Sequence, residues 1–284
     1  MSADSEIYKS AERRLRGVRT EKELHAVYGE KCALLMDDVG ESRNFQVFPG
    51  VRVLRQFLDP VEQEQLTTHI LNECIDAPHD NSLDLEISSL FAEYTYICEN
   101  EPKKIHSAGL RKLRWSCIGS HYDWTKRQYG GGGPTLASDD SLLAPCSPFP
   151  VDHPLQVVYR KAVGISRSEP ENAQSALINF YHSHREGDRL GGHRDDVEKS
   201  EGALVLLSLG LPGIFIVVGP RSDSENIAWV ILLRSGDAVV LEGEGRKAMH
   251  GVPGILSSEL PPPDGTVSDF LKRTRISCSI RRVV

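Results

Sequence analysis

Gly202-Ala-Leu-Val-Leu-Leu-Ser-Leu209 is an apolar run of strand length, and turn residues separate it from a second such run, Gly213-Ile-Phe-Ile-Val-Val218. Short apolar runs bounded by turn residues predict buried β-strands. Four more runs in the C-terminal part share these properties: Ala176-Leu-Ile-Asn-Phe-Tyr181, Ala228-Trp-Val-Ile-Leu-Leu233, Asp237-Ala-Val-Val-Leu241 and Arg275-Ile-Ser-Cys-Ser-Ile-Arg281. Arg234-Ser-Gly-Asp237 lies between two of them and predicts a tight hairpin turn. Many short strands favour a mainly β (α+β) fold, a double-stranded β-helix or jelly roll with flanking helices.

The chain before these strands divides into two further parts. Residues 1–45 are strongly charged and predict a helical extension, in which Thr20 and Glu23 fit a capping box. Residues 46–154 begin with a strand that turns at Pro49-Gly50 and later become rich in glycine and proline, which is typical of an insert. Residues 155–284 then form the jelly-roll domain.

Composition excludes several classes of protein. The 284 residues are 39% hydrophobic and 26% charged, as in ordinary globular proteins. The formal net charge of −7 argues against a protein that coats nucleic acid non-specifically, while a local basic groove remains compatible with it. The six cysteines form no C-x-x-C pair, which favours reduced thiols inside the cell.

The sequence shows neither a membrane-spanning nor a secretory segment. No apolar run approaches the roughly 20 residues of a membrane span, and the N-terminus lacks the apolar stretch of a secretory signal. We therefore expect an intracellular monomer without membrane contact, in the nucleus, the cytoplasm or both, with the mitochondrion as a further candidate.

Three residues have the chemistry of a metal centre. His193 and Asp195 are two apart, so both side chains of a strand end can face the same way. His250 would come from a distant strand. Two histidines and one carboxylate can hold one face of an octahedral Fe(II) and leave positions open for a co-substrate and oxygen. The H-x-D motif alone is too common to carry this hypothesis.

The last strand strengthens the hypothesis. Arg275, Ser277, Ser279 and Arg281 alternate with apolar residues, so one face of the strand is polar and cationic. If that face were turned to water, it would be an ordinary edge strand. If it lines the interior, its arginines require an anionic partner, because an unpaired buried charge is very costly. A five-carbon dicarboxylate such as 2-oxoglutarate meets that requirement.

These motifs, in this order, resemble the AlkB family of nucleic-acid dealkylases. The resemblance rests on Asn179-Phe-Tyr181, His193-Arg-Asp195, His250 and Arg275-x-Ser-x-Ser-x-Arg281, and it extends to Leu113–Trp124, a segment similar to eukaryotic AlkB homologues. One departure is visible. The family strand is R-x-N-x-T-x-R, whereas this chain has Ser277 and Ser279, and serine reaches less far than an amide.

The resemblance implies specific roles for these residues. His193, Asp195 and His250 would bind Fe(II) and form the catalytic centre. Arg275, helped by Tyr181, would pair with the distal carboxylate of 2-oxoglutarate. The other residues implied in co-substrate binding are Asn179, Ser277 and Arg281.

Basic residues surround aromatic ones between Asn81 and Tyr129. The candidate substrate contacts are Trp115, Tyr122, Trp124, Arg114 and Lys112, with further cations at Lys103, Lys104, Arg111, Lys126 and Arg127. Such a mixture suits a groove for a nucleic-acid backbone with a stacking platform for an unstacked base. From the residues alone, core aromatics and solvated lysines explain it better; the resemblance moves nucleic acid ahead.

Three functions follow as expectations. The first is an Fe(II)- and 2-oxoglutarate-dependent dioxygenase that uses O2 to demethylate or hydroxylate methylated bases in tRNA or DNA. The second keeps the chemistry but acts on a protein side chain such as a histone lysine. The third is a non-catalytic nucleic-acid-binding jelly roll. Separately, His182 and His184 form an H-x-H pair that we expect at the surface, and His121 is a substrate-contact candidate.

Overall fold

Two antiparallel sheets form the core of the protein in a computed structural model. The structure describes residues 2–28, 44–76, 78–82, 112–120, 122–123, 128–129, 147–164, 172–183, 185, 188–222, 225–257 and 266–284. Among these, no helix has the length and apolar character needed to cross a bilayer.

The first part of the chain contributes helices and both edges of one sheet. Its elements are α1 (Ala3–Leu15), α2 (Glu21–Tyr28), β1 (Asn44–Phe48), β2 (Val51–Leu54), α3 (Pro60–Glu73), β3 (Asp80–Asn81), β4 (Trp115–Gly119), β5 (Tyr122–Asp123) and β6 (Gln128–Tyr129). The predicted capping box is confirmed, and a second one precedes α3. Thr20 and Glu23 form the capping box before α2, and Asp59 caps α3 with Glu62.

The second part contributes most strands. Its elements are α4 (Pro154–Gly164), β7 (Ser175–His182), β8 (Leu190–His193), β9 (Leu204–Gly210), β10 (Gly213–Ser222), β11 (Glu225–Leu233), β12 (Ala238–Leu241), a 3-10 helix (Gly243–Lys247), β13 (His250–Ile255), α5 (Thr266–Leu271) and β14 (Thr274–Arg281).

The described strands form a large sheet, a small sheet and the separate two-stranded pair β5-β6. The large sheet has the order β1-β2-β12-β9-β14-β7-β4-β3, and the small sheet has the order β11-β10-β13-β8. Strands from residues 46–154 and from residues 155–284 therefore hydrogen-bond within one sheet. Crossing of consecutive strands between two antiparallel sheets is the jelly-roll arrangement that the strand pattern predicts.

One predicted turn was assigned wrongly. Arg234–Asp237 does form a tight turn, with the Asp237 N–H donating to the Arg234 carbonyl at 3.1 Å. It does not close a hairpin, because β11 pairs with β10 in the small sheet while β12 pairs with β2 and β9 in the large one. The turn moves the chain from one sheet to the other.

Helices cover the outer faces, and the polar face of β14 is turned inward. Ile276, Cys278 and Ile280 pack in the cluster formed with α3, α4 and α5. The alternating residues Arg275, Ser277, Ser279 and Arg281 are all buried, and therefore face the small sheet. On the far side, Tyr8, Ala11 and Leu15 of α1 pack on the outer face of the small sheet.

Candidate active site

The end of β8 and the start of β13 bring three metal-ligand side chains together. His193 and His250 are partners in the β8–β13 ladder. His193 Nε2 lies 3.8 Å from Asp195 Oδ1, and His250 Nε2 lies 3.8 Å from Asp195 Oδ2. One nitrogen or oxygen of each residue lies within 4.8 Å of those of the others. This spacing suits three ligands of one cation.

Backbone carbonyls orient both imidazole rings. His193 Nδ1 lies 3.0 Å from the Gly191 carbonyl oxygen, and His250 Nδ1 lies 2.9 Å from that of Ala248. Because a carbonyl oxygen can only accept, each Nδ1 carries the proton and each Nε2 keeps its lone pair for a metal. Burial, with His193 nearby, lowers the pKa of His250 to about 4, so this ring is neutral near pH 7.

Asp195 is held ionised by its neighbours. Burial alone would raise the pKa of this carboxyl, but the Arg281 guanidinium, followed by His250 and His193, lowers it well below its ordinary value. Arg281 Nη1 lies 2.9 Å from Asp195 Oδ1. The third ligand is therefore an anion, and the donor set of two imidazoles and one carboxylate fits Fe(II).

Arg275 is a buried cation with free donors. Its side chain is 1% exposed, and Nη2 donates to Ser208 Oγ at 2.8 Å. Nε and Nη1 are buried without a hydrogen-bond partner in the described part of the chain. Burial lowers the pKa of Arg275 to about 10, which still leaves it charged near pH 7. Such a group calls for an external anion.

A tyrosine that packs among apolar residues and a closely approaching glycine lie beside Arg275. Tyr181 lies opposite Arg275 in the β7–β14 ladder, and it packs with Leu211, Ile255 and Leu190. Gly213 approaches the arginine so closely that an added Cβ would lie 2.5 Å from Nε. A carboxylate here could accept two parallel N–H bonds in apolar surroundings.

The remaining predicted co-substrate residues lie along the same inner face. Asn179 is the cross-strand partner of Ser277 and also of Trp115 on β4. Cross-strand partners project to the same side of a sheet, so Trp115 borders this face. Arg281 differs from Arg275, because it is paired with Asp195 and with Glu198 Oε1 at 2.8 Å.

Several residues of the site carried no signal in the sequence. Glu198, Arg246 and Tyr129 surround Arg281, and Ser208 accepts from Arg275. Glu198 follows the H-x-D motif closely, but nothing in that spacing shows that it is buried beside Arg281. Partners 69 and 83 residues away cannot be read from local spacing.

The predicted substrate residues are only partly described. Lys112 is exposed, Trp115 is half-buried, and Arg114 is exposed but paired with Asp188 at 3.1 Å. The backbone of Tyr122 lies in the β5–β6 ladder. The other residues assigned to this region lie outside the described residues: Trp124, Lys103, Lys104, Arg111, Lys126, Arg127 and His121.

The surface assignment of His182 was wrong. This residue is buried, and its ring contacts Thr274 Oγ1 at 3.1 Å and the Leu113 carbonyl oxygen at 2.8 Å. It lies edge-on to Phe270 of α5, so it does face away from the pocket, as alternation with Tyr181 predicts. The helices that cover the outer face bury it. His184 lies outside the described residues.

A second group of metal-ligand side chains, His69, Cys74 and His153, is explained by hydrogen bonds. The Leu155 N–H donates to His153 Nδ1 at 3.1 Å, so the proton of this ring is on Nε2. That Nε2 lies 3.2 Å from His69 Nε2, and His69 Nδ1 lies 3.2 Å from Glu73. Each ring nitrogen therefore has a complementary partner without a cation.

Comparisons with known proteins agree with this geometry. Residues 50–281 match the family model of the 2OG-Fe(II) oxygenase superfamily. The chain is 33% identical over 61% of its length to a DNA N(6)-methyladenine demethylase of Arabidopsis thaliana, of which it covers 50%. It is 30% identical over 66% of its length to an N6-methyladenosine RNA demethylase, ALKBH, of Cryphonectria parasitica, covering 82% of it.

Two further similarities concern length and fold. A tRNA demethylase of Schizosaccharomyces pombe is 27% identical over 84% of this chain and 81% of its own. The chain thus spans half of the plant relative and about four fifths of the two fungal ones. The solved structure of OsALKBH1 superposes with a TM-score of 0.53 at 19% identity, covering 84% of this chain and 99% of that chain, which shows a shared fold.

Proposed function

The chain belongs to the AlkB family of the 2OG-Fe(II) oxygenase superfamily, and from this membership we propose that it oxidatively demethylates or hydroxylates methylated bases in nucleic acid. One observation carries the proposal. A His-Asp-His triad lies at the end of β8 and the start of β13 in the small sheet, and the buried Arg275 of the large sheet has two N–H donors without a partner among the described residues. The triad suits Fe(II), and the arginine suits a dicarboxylate.

His193, Asp195 and His250 would hold the metal. When bound, Fe(II) with 2-oxoglutarate supplies the chemistry that uses O2 to oxidise a substrate C–H bond while 2-oxoglutarate becomes succinate and CO2. The protein's part is orientation and protonation state. The carbonyls of Gly191 and Ala248 keep both Nε2 atoms available, and Arg281 keeps Asp195 ionised.

Arg275 would bind the distal carboxylate of 2-oxoglutarate. Its Nε and Nη1 are buried and have no hydrogen-bond partner among the described residues, while Nη2 donates to Ser208. Tyr181, opposite in the ladder, could donate its hydroxyl proton to the same carboxylate; burial raises the pKa of Tyr181 to about 12, so it remains a phenol. Asn179 and Ser277, further along the face, would contact the rest of the co-substrate.

Nucleic acid is the substrate class that the relatives favour, since their names include DNA, RNA and tRNA demethylases. Trp115 borders the inner face beside Asn179 and offers an aromatic surface for a base. Oxidation of an N-methyl group gives an N-hydroxymethyl base, which releases formaldehyde. Oxidation of a C-methyl group would leave a stable alcohol.

The test compares substrates under one assay. The full chain, with Fe(II) and 2-oxoglutarate, is incubated separately with tRNA, with DNA oligomers bearing N-methylated bases and with methyl-lysine histone peptides. Mass spectrometry then measures modified nucleosides and peptides, and succinate is quantified in parallel. We expect loss of a methylated base with matching succinate and formaldehyde, and none with Asp195→Ala. Demethylated peptide with unchanged nucleosides would contradict the proposal, and no succinate under any condition would favour a binding module.

A further inference from the structure

A continuous set of buried polar contacts leads from the metal-ligand carboxylate to the β5–β6 hairpin. Asp195 Oδ1 is paired with Arg281 Nη1 at 2.9 Å, and the same nitrogen donates to Glu198 Oε1 at 2.8 Å. The Tyr129 hydroxyl donates to that glutamate oxygen at 3.0 Å. Three contacts therefore connect Asp195 to Tyr129 of β6.

A second buried arginine, Arg246, also contacts Asp195. Arg246 Nη1 donates to the Asp195 carbonyl oxygen at 3.0 Å, and its Nε donates to the Gly202 carbonyl oxygen at 3.0 Å. Its Nη2 lies 3.5 Å from Glu198 Oε2. Arg246 belongs to the 3-10 helix that ends shortly before His250, so it contacts the backbone of one proposed ligand and precedes another.

The charges of this cluster are balanced by Glu198. Two guanidinium groups face two carboxylates, and the side chains of Arg246 and Glu198 are 4% and 1% exposed. Burial lowers the pKa of Arg281, but Asp195, Tyr129 and Glu198 outweigh it and raise that pKa well above its ordinary value. Without the Glu198 charge, both arginines would depend on Asp195 alone, and buried charges of one sign without partners are costly.

Tyr129 connects this cluster to the region assigned to the substrate. In the β5–β6 ladder Tyr129 is the partner of Tyr122, and Asp123 is the partner of Gln128. In the sequence, residues 124–127, which include the predicted platform residue Trp124, lie between these two strands. A displacement of the hairpin would act directly on the Tyr129–Glu198 bond.

We propose that Tyr129, Glu198 and Arg246 are positioning residues that orient Asp195 and couple the hairpin to the metal centre. The metal-orienting part stands on the contacts alone, while the coupling part rests on the proposed function. Glu198 restrains Arg281, so Asp195 keeps an oxygen available for the cation. Tyr129 transmits the position of the hairpin to Glu198. None of the three needs to touch a reacting atom.

The metal-orienting part is tested with Co(II), whose visible absorption reports the ligand geometry. In Glu198→Gln the Arg281 and Arg246 charges would compete with the cation for Asp195, so we expect about tenfold weaker Co(II) binding and an altered spectrum. Tyr129→Phe keeps the charge of Glu198 and should weaken Co(II) binding less, about threefold. If both variants match the Co(II) affinity of the parent within twofold and keep its spectrum, the cluster does not orient Asp195 and the proposal fails.

A matched control tests whether the effect is specific to the Tyr129 hydroxyl or follows from the loss of any buried tyrosine hydroxyl. Tyr159 is fully buried, and its hydroxyl donates to the Ala203 carbonyl oxygen at 3.1 Å, outside the cluster around Asp195. Tyr159→Phe deletes the same atom and should keep the parent Co(II) affinity and spectrum. Equal losses in Tyr129→Phe and Tyr159→Phe would overturn the assignment.

The coupling part is tested by product ratios. With a methylated oligonucleotide that the parent demethylates, Tyr129→Phe should form about threefold more succinate per formaldehyde, because the hairpin no longer positions the base against the metal centre. An unchanged ratio would contradict the coupling. If the parent demethylates no nucleic acid, the proposed function fails and the coupling fails with it, while the Co(II) results still decide the orienting role.

Discussion

The two ends of β14 each carry a buried arginine, and their surroundings are opposite. At one end Arg275 contacts the hydroxyl of Ser208 and leaves two donors without a partner in the described part of the chain. At the other end Arg281 lies between two carboxylates, Asp195 and Glu198. Both side chains are buried to a similar degree, so exposure does not separate them.

This difference in surroundings indicates which kind of anion each arginine binds. Burial lowers the pKa of Arg275, and no ion pair with a carboxylate of the described residues offsets it, whereas Asp195, Tyr129 and Glu198 raise the pKa of Arg281 in spite of burial. A buried cation that the protein leaves unneutralised is suited to an anion that arrives from outside. A neutralised one is suited to holding an internal anion in place. Mutations at the two ends should therefore fail in different ways.

The largest effect is expected where the internal anion itself is removed. Asp195→Ala deletes one of three proposed protein ligands and leaves Arg281 beside the site, so we expect Fe(II) binding and 2-oxoglutarate turnover to be lost. His193→Ala and His250→Ala should do the same, because two remaining ligands hold Fe(II) weakly. Metal content by mass spectrometry and succinate formation measure this. A variant that keeps stoichiometric iron and near-normal succinate would refute the triad.

At the other end, Arg275→Ala should spare the metal and weaken the co-substrate. A dicarboxylate that loses its charge-assisted pair in a buried pocket binds less well by roughly 2 kcal/mol, about 30-fold. Arg275→Lys should recover only part of this, because an ammonium cannot reproduce the planar fork. The measurement is the apparent constant for 2-oxoglutarate alongside Co(II) affinity. An unchanged constant would mean that this arginine does not meet the co-substrate.

A smaller effect should follow when Arg275 is kept but loses its hydrogen bond to Ser208. Ser208→Ala removes the oxygen that accepts from Nη2, so the guanidinium becomes less well oriented, and we expect about fivefold weaker 2-oxoglutarate binding, roughly 1 kcal/mol. Ser116 provides the control, because it is fully buried and its hydroxyl has no partner among the described residues. Ser116→Ala should leave the constant unchanged, and a matching loss there would point to general destabilisation.

The sequence predicted the parts of this contrast that depend on strand periodicity. Alternation along Arg275–Arg281 indicated a polar face and an apolar face. In the structure the polar face is buried on the inner side of the sheet, and the apolar face packs against helices. The H-x-D spacing likewise placed His193 and Asp195 close together, although β8 ends at His193 and Asp195 lies just beyond it. A period of two is a local property, so it can be read without knowing the neighbours.

The parts that failed depend on what lies across space. The position of His182 next to Tyr181 in the strand predicts that its side chain points away from the pocket. Only the position of α5 shows that this side chain is buried. Arg234–Asp237 has the composition of a hairpin turn, and only the pairing of β11 and β12 shows that it joins two sheets. Glu198 could not be assigned to Arg281, since the two are 83 residues apart.

The smallest predicted effect extends the contrast between paired and unpaired cations to the surface. Lys112 is exposed and has no ion pair in the part of the chain that the structure describes, whereas Arg114 is paired with Asp188. If this surface contacts a nucleic-acid backbone, Lys112→Ala should reduce the slope of log affinity against log salt by about 0.7 to 0.9, the value for one phosphate contact. Arg114→Ala should reduce the slope by less than half as much, because Asp188 already neutralises that charge.

Lys272, paired with Asp269 on α5, provides a control on the helical face, and Lys272→Ala should leave the slope unchanged. Titration of a labelled oligonucleotide at several salt concentrations measures all three. Parent-like binding of Lys112→Ala at every salt concentration would remove this surface from the interface and favour a protein substrate.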